Sequence, residues 1–318
     1  MKKVVSVSLG SSKRNHTVRV ELLGEEFEIS RLGTGGDIHK AISVLKELDG
    51  SVDAIGLGGI DVYLYAGNTR YVLQDGLRLL ETVKKTPVVD GSGLKNTLER
   101  QAVEYLVQQG LIKKDARVLM VSAMDRFGMA EALEKAGCRL TLGDLVFALG
   151  IPIPIRRLDK LQSIAAKLMP VVSRLPFQFI YPTGQQQDKH PRTGSNRFAR
   201  YYLEAEVVAG DYHLIRKYLP EKLNGQLFLT NTTTREDVEE LMERGAGMLI
   251  TTTPEFQGRT FGTNVMEAVL LALLNKSWEE ATVEDYTNLL KQLNWQPKII
   301  KFHREALVLE PATAGKLG

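Results

Sequence analysis

Cysteine is almost absent. Cys138 is the only one in 318 residues, so neither a disulfide framework nor a cysteine-rich metal site can be built. It opens a predicted strand and reads as a small core residue. Histidine is scarce too. The five histidines are scattered with no His-x-x-x-His pair, so no metal site is expected. No apolar run approaches the ~20 residues that span a bilayer. Met1-Lys2-Lys3 leads straight into a serine-bearing strand at 4–9, too short and too polar for a secretory leader. A cytoplasmic protein with no membrane partner is expected. A dominant sign of charge is also missing. Lys and Arg number 41 against 38 Asp and Glu, a net charge of +3. No basic block stands out, so no nucleic-acid partner is expected. No repeat is visible, which excludes a solenoid.

What is present is ordinary for a soluble globular protein, with 43% hydrophobic and 25% charged residues. A chain this long divides into two cores. The pattern is α/β. A small N-terminal α/β domain is expected at 1–100, and a doubly wound parallel-sheet, Rossmann-like domain at 101–280. A C-terminal helix and arm, 281–318, would return to the first domain. Strands at 4–9, 17–23 and 27–32 with short turns suggest an antiparallel meander. Thr34 to Asp37 cap a helix whose apolar face is Ile38, Ala41, Ile42, Leu45 and Leu48. Further strands fall at 53–57, 62–65 and 87–89, with helices at 75–85 and 98–107.

The second half alternates strand and helix. Strands are expected at 117–121, 139–142, 177–181, 206–209, 226–229 and 248–250, with a polar loop at 182–196. Helices fall at 156–173, 213–218 and 235–244. An apolar helix at 263–274 and another at 282–293, capped by Thr282 with Asp285, follow. Residues 298–309 read as a strand or arm, and 311–318 as a tail. The apolar helices at 98–107 and 263–274 serve the chain's own core most simply; the alternative is a homodimer.

The segment 116–144 is the chemical centre of this pattern. It reads strand, loop, helix, strand, acid. A helix starting just after a strand directs free N–H groups and a positive dipole end at the loop, where anions bind. Asp144 lies roughly twenty residues on, where an acid meets a ribose hydroxyl in dinucleotide folds. The loop is Ser122-Ala123-Met124-Asp125-Arg126-Phe127-Gly128, without a G-x-G-x-x-G. Arg126 would attract a pyrophosphate and Asp125 would repel one. A βαβ unit with no ligand reads the same way.

In an open parallel sheet, ligands bind beyond the carboxyl ends of the strands. Those ends are rich in hydroxyls, amides and glycines: Ser122 to Gly128, Gly143-Asp144, Tyr181 to Gly184, Gly210-Asp211, Thr230-Asn231-Thr232 and Thr251-Thr252-Thr253-Pro254. Threonine also caps helices, so part of this edge is explained without a ligand. In the first domain, Asp90-Gly91-Ser92-Gly93-Leu94-Lys95-Asn96 carries an acid, a lysine and an amide near a helix start. A Lys–Asp pair can pass a proton to an alcohol oxygen if burial lowers the lysine's pKa. The plainer reading is a Gly-rich helix entry with a solvated lysine. Gly56-Leu57-Gly58-Gly59-Ile60-Asp61 is a second glycine cluster, explained equally by tight packing. Gly10-Ser11-Ser12 forms a turn that could cradle an anion. His190 in the polar loop and His213 beside Asp211 are the two histidines of interest.

Those residues carry a resemblance. The segment Asp90 to Asn96, the βαβ unit at 117–144 and the strand end Leu249 to Pro254 with its apolar helix resemble the shikimate and quinate dehydrogenase family. The resemblance implies hydride transfer between NAD, less readily NADP, and a quinate- or shikimate-like polyol at an interdomain cleft. It implies proton handling by Lys95 with Asp90 or Asp61. It implies cofactor contacts at Ser122, Asp125, Arg126, Gly128, Asp144, Thr252 and Thr253. Ser122 to Gly128 replaces the family's glycine loop. Its serine pair has a loose counterpart in Ser6 and Ser8, or Ser11 and Ser12. The alternative is a non-redox ligand sensor, or a nucleotide-dependent transferase, using the same cleft.

Overall fold

The computed structural model describes residues 1–176, 198–253, 255–256 and 259–302. In chain order the first half runs β1 (Lys2–Ser8), β2 (His16–Leu22), β3 (Glu25–Gly33), α1 (Ile38–Leu48), β4 (Ala54–Gly58), β5 (Tyr63–Ala66), β6 (Thr69–Val72), α2 (Gln74–Leu80) and β7 (Val88–Val89). Helix α3 (Ser92–Gln108) leads to β8 (Arg117–Met120), α4 (Phe127–Lys135), β9 (Arg139–Leu142), α5 (Leu158–Val172), α6 (Ala199–Glu204), β10 (Val207–Ala209) and α7 (Tyr212–Lys217). Then come β11 (Leu227–Thr230), α8 (Arg235–Arg244), β12 (Met248–Thr251), the hairpin β13 (Glu255–Phe256) and β14 (Arg259–Thr260), α9 (Thr263–Leu274), α10 (Val283–Gln292) and β15 (Lys298–Lys301). The expected strand at 177–181, the loop at 182–196 with His190, the arm beyond 302 and the tail lie outside the described residues.

Two sheets result, and burial decides the place of each strand. From Val4 to Ser8, β1 is buried on both faces, so it takes a neighbour on each edge. It pairs with β3 and β4, both parallel. Strand β2 is buried only at Val18 and Leu22 and takes the edge, antiparallel to β3. The expected meander is therefore corrected. A continuous apolar run marks a central parallel strand, whereas alternation marks a half-exposed one. The first sheet has the order β2-β3-β1-β4-β7.

The second sheet has the order β15-β12-β11-β10-β8-β9. It is a doubly wound parallel sheet with one antiparallel edge, β15 on β12. Its two faces follow from the period of two along a strand. Val118, Met120, Val207, Ala209, Leu227, Leu229 and Ile250 face a core that continues into the first sheet. Leu119, Val121, Val208, Phe228 and Leu249 face a second core with Phe147, Tyr202, Tyr212 and Leu241. The strands from β9 to β12 take the order 2-1-3-4-5, in which the crevice lies between the first and third strands. Dinucleotide folds take the order 3-2-1-4-5-6.

Local signals place the helices. Thr234 and Asp237 form a capping box on α8, and Gly245 ends it in the left-handed conformation. Thr282 and Asp285 do the same at the start of α10. Helix α3 begins at Ser92, six residues before the sequence pattern suggests. Gly91 and Gly93 lower helix propensity there, but close packing requires both. A Cβ on Gly93 would collide with the Glu267 carboxylate. Helix α9, apolar except for Thr263, Asn264 and Glu267, returns from the second sheet and lies on β1 and β4. Gly56 admits it, since a Cβ there would meet the Asn264 carbonyl oxygen at 2.7 Å. Among the described residues no helix is long and apolar enough to cross a membrane.

Gly91 has φ +93°, and a Cβ would sit 2.7 Å from the Asn264 backbone nitrogen. Gly110 has φ +69° with nothing within 4 Å. Gly110→Ala carries only the left-handed cost, about 1–2 kcal/mol. Gly91→Ala adds overpacking, typically about 1–3 kcal/mol. Equilibrium urea unfolding should rank Gly91→Ala as the more destabilised; equal losses would contradict the close α9 contact.

Candidate functional site

The carboxyl ends of both sheets face one another. In the first sheet the chain crosses from one side of β1 to the other between β3 and β4. Its crevice therefore opens beside the loops after β1 and β4. In the second sheet the crevice opens beside the loops after β8 and β10. Between them lies a cleft of about 850 Å³, lined from both sides. That volume is in the small-ligand range of about 300–1,000 Å³.

Its floor is a chain of buried charges. Lys95, on the first turn of α3, directs Nζ to Asp61 Oδ1 at 2.7 Å and to Asp125 Oδ1 at 2.8 Å. Asp61 follows β4 and Asp125 follows β8, so one ammonium ties the two sheets together. Arg126, 2% exposed, continues the chain. It pairs with Glu99, one turn along α3 from Lys95, and lies 3.3 Å from Asp125 Oδ2 and 3.1 Å from Asp211 Oδ2. Asp211 also caps α7 by accepting from the His213 N–H, and accepts from Asn231 Nδ2 at 2.9 Å. Gly210 permits this approach; at φ +138° a Cβ would collide with Val121.

The protonation states follow from these contacts. Burial alone would drive Lys95 toward its neutral form, but Asp125 and Asp61 reverse this and hold it protonated. The expectation of a lysine made basic by burial is thus corrected: its neighbours hold the proton. Asp61 behaves the other way. Burial, with Asp125 and Asp90 adding repulsion against the pull of Lys95, lifts its carboxyl to about 7. Burial also raises Glu99 against the attraction of Arg126. Asp211 is opposed by burial, yet His213, Arg126 and Lys95 hold it down at about 2. Burial lowers His213. Its Nε2 lies 3.4 Å from a guanidinium nitrogen of Arg14. An arginine only donates, so this contact requires a bare Nε2. Arg14 thereby reaches from the loop after β1 to α7, across the mouth of the cleft.

The sequence-predicted residues separate cleanly. Lys95, Asp61, Asp90, Asp125 and Arg126 line the cleft, as do Asp211 and His213. Asp90 serves its own backbone, accepting from the Val62, Tyr63 and Ser92 N–H groups. Lys95 meets Asp61 rather than Asp90. The other cofactor candidates are taken up in the fold. Asp144 accepts from the Ala123 and Met124 N–H groups at 3.2 and 3.0 Å, and from the Ser122 hydroxyl at 3.4 Å. The anion seat after β8 is filled by the chain's own carboxylate. Gly128 is a packing glycine, since a Cβ would lie 2.9 Å from Asn96 Oδ1. The Thr253 hydroxyl donates to the Asn231 carbonyl, and the Thr252 carbonyl accepts from Trp295.

These contacts correct the NAD expectation. The Ala123 and Met124 N–H groups are occupied by Asp144, Arg126 is matched by carboxylates, and Asp144 is committed to the loop rather than to a ribose. Sequence reasoning missed Glu99, Arg31 and Asn264 altogether. Glu99 had a weak signal, its i, i+4 spacing from Lys95 on one helix face. Asn264 donates to the Ser6 hydroxyl at 2.8 Å, and Arg31 to that of Ser8 at 3.0 Å. Nothing local announces either. Among the described residues no group of three or more His, Cys, Asp or Glu side chains could hold a metal ion.

Comparison with known proteins gives two family matches. Residues 93–302 match the domain of unknown function DUF8754, and residues 3–90 the domain of unknown function DUF8753. No curated protein matches. Similar solved structures include a galactofuranose binding protein, at 12% identity over 92% of this chain and 99% of that one, TM-score 0.38. Another is GanP, a glucose-galactose binding protein from Geobacillus stearothermophilus, at 10% identity, coverages of 96% and 99%, and TM-score 0.36. A third is a periplasmic ribose ABC transporter from Conexibacter woesei, at 10% identity, coverages of 91% and 95%, and TM-score 0.34. At such scores the ligands of those proteins remain theirs alone. The shikimate and quinate dehydrogenase resemblance, and the oxidoreductase activity it implied, are corrected. The models that match are DUF8754 and DUF8753, and the seat after β8 is filled by Asp144.

The raised carboxyl of Asp61 has a consequence in pH. The folded state keeps a proton up to about 7 that the unfolded chain releases near 4. This contribution to stability is complete below about pH 4 and is lost as pH rises through about 7. A ¹³C carboxyl titration should place the Asp61 midpoint near 7. A midpoint in the ordinary aspartate range would show that the floor is wetter than described.

Proposed function

We propose that this chain, which belongs to the DUF8754 family, is a non-redox binding protein for a small, hydroxyl-rich molecule held in the cleft between its two sheets. One observation carries the reading. Both sheets direct their crevices into the same cavity, where carboxylates, amides and hydroxyls converge. Asp211 presents a carboxylate, Asp61 a carboxyl, Asn231 and Asn264 amides, and Ser6 and Thr232 hydroxyls. Carboxylates accept from hydroxyls, and amides both donate and accept. Hydrogen bonds to the ionised groups are the stronger kind. A polyol or monosaccharide, which alternates donor and acceptor at every carbon, matches such a lining. Leu57, Ile60 and Phe261 give the same cavity apolar surface for the C–H face of a sugar ring.

The arrangement supports binding rather than turnover. Lys95 is held protonated against burial by Asp125 and Asp61, which denies it the part of base or nucleophile. Cys138, the single thiol, lies elsewhere, beneath the loop at Lys113.

A thermal-shift screen of pentoses, hexoses, their acids and esters, and acyclic polyols tests this. A ligand at about 100 times its Kd adds ~2.7 kcal/mol, roughly 5–10 °C in a unit of this size. At least one saccharide should give a saturable shift that Asn231→Ala diminishes. NAD and NADP should give none. A shift with a nicotinamide nucleotide and none with any saccharide or polyol would overturn the reading.

A further inference from the structure

The first turn of α9 closes one side of the cleft. The helix runs antiparallel to β1. At its start Asn264 Nδ2 donates to the Ser6 hydroxyl at 2.8 Å, and near its end the Ala272 carbonyl accepts from the Lys2 ammonium. The positive end of the helix dipole therefore lies at the carboxyl end of the first sheet. Gly262, at the N-cap, has no side chain to cap that turn.

Two serines stand beside it. Ser6 and Ser8 are two apart on β1 and so share a face, the one on which Val4 packs in the core with α9. Gly58 ties Ser8 to the same turn, since a Cβ there would lie 3.1 Å from Ser8 Oγ and 3.2 Å from Asn264 Nδ2. Ser6, Ser8, Gly58, Thr263 and Asn264 all line the cleft.

Hydrogen-bond accounting leaves these hydroxyls with protons to give. Ser8 Oγ accepts from the Gly10 N–H at 3.1 Å and from the Arg31 guanidinium at 3.0 Å. Neither group can accept in return. Ser6 Oγ accepts from Asn264. Among the described residues neither serine hydroxyl finds an acceptor for its own proton, and the Thr263 hydroxyl has no partner at all. All three residues are buried, Ser6 at 1%, Ser8 at 4% and Thr263 at 4% exposure. A buried donor without an acceptor is costly, and a ligand in the cleft can relieve it.

We infer that the cleft takes a sugar acid, its carboxylate on the Ser6, Ser8 and Thr263 hydroxyls at the start of α9 and its own hydroxyls toward Asp211 and Asn231. This rests on the binding function proposed above and adds the ligand's charged end to it. A carboxylate only accepts, which is what three donors require. Its two oxygens can serve hydroxyls roughly 6–7 Å apart, the two-residue repeat of a strand. Its charge is favoured at an uncapped helix start. On the other side of the cleft the ionised Asp211 repels it and accepts from hydroxyls instead, so the ligand has one orientation.

Titration calorimetry on the full chain tests the inference with matched pairs: ribonate against ribitol, gluconate against glucitol and galactonate against galactitol, with acetate as a bare carboxylate. The members of a pair differ only at one terminal carbon. In at least one pair the acid should bind roughly tenfold or more tightly than the alcohol. Thr263→Val should cut that advantage several-fold, and Thr263→Ser should keep it. The Thr263 hydroxyl has no partner among the described residues, so Thr263→Val should hold or raise the thermal midpoint of the unliganded chain. A lowered midpoint would mark the hydroxyl as structural and overturn the seat. An acid advantage that survives both Thr263→Val and Ser8→Ala would also overturn it, by placing the carboxylate elsewhere. Alcohols that bind as tightly as their acids would overturn the inference and leave the binding reading standing. Acetate binding as tightly as any acid would overturn it too, by showing an anion patch that ignores hydroxyls. Binding of none of these compounds would count against both.

Discussion

The buried guanidinium of Arg126 is the contact on which the rest of the site depends. It has no route to a neutral form at any working pH, so its charge must be met inside the protein. Glu99 from α3, Asp125 from its own loop and Asp211 from the loop after β10 meet it. Removing one partner of a buried pair typically costs about 3–5 kcal/mol, because the other charge is left uncompensated. The arrangement therefore fixes the loop after β8 against both α3 and α7. Lys95 extends the same chain to Asp61 and so to the first sheet.

That requirement also explains why the loop after β8 is not a phosphate cradle. A cradle needs free N–H groups and glycines that let a ligand approach. Here Asp144 takes two of those N–H groups, and the packing of α3 against α4 takes Gly128. The crevice of the second sheet is kept open by a salt-bridged loop rather than a glycine loop. Its polar groups are presented by side chains, which suits hydroxyls better than a pyrophosphate.

Much of the fold could be read from the residues, because the signals were local. The run Arg117 to Val121 marks a strand buried on both faces. The Thr282–Asp285 pair marks the start of α10, and the α/β class follows from the alternation of such segments. Strand order was less legible. Whether β1 pairs with β2 or with β3 depends on which edge must be covered, and the short turns pointed to the wrong neighbour. Residue roles were the least legible. Asp144 does meet the loop its spacing indicated, but it accepts from the protein rather than from a ligand. Lys95 and Asp61, 34 positions apart, were paired only through the family resemblance, with Asp90 as the equal option. Asp125, which joins Lys95 to Arg126, and Asp211, which meets Arg126 from the other side, lie in different loops, and no periodicity connects those.

The central claim is that ligand binds where the two sheets face each other. Methyl NMR tests it directly, because Leu57, Ile60, Leu214, Val238, Val265 and Ile300 line the cleft from both sheets. Titration with a bound saccharide should shift these methyls together, while Leu140 on β9 and Leu133 on α4, both in the core, stay in place. Shifts confined to one sheet, or confined to α4, β9 and the surroundings of Asp144, would contradict the account.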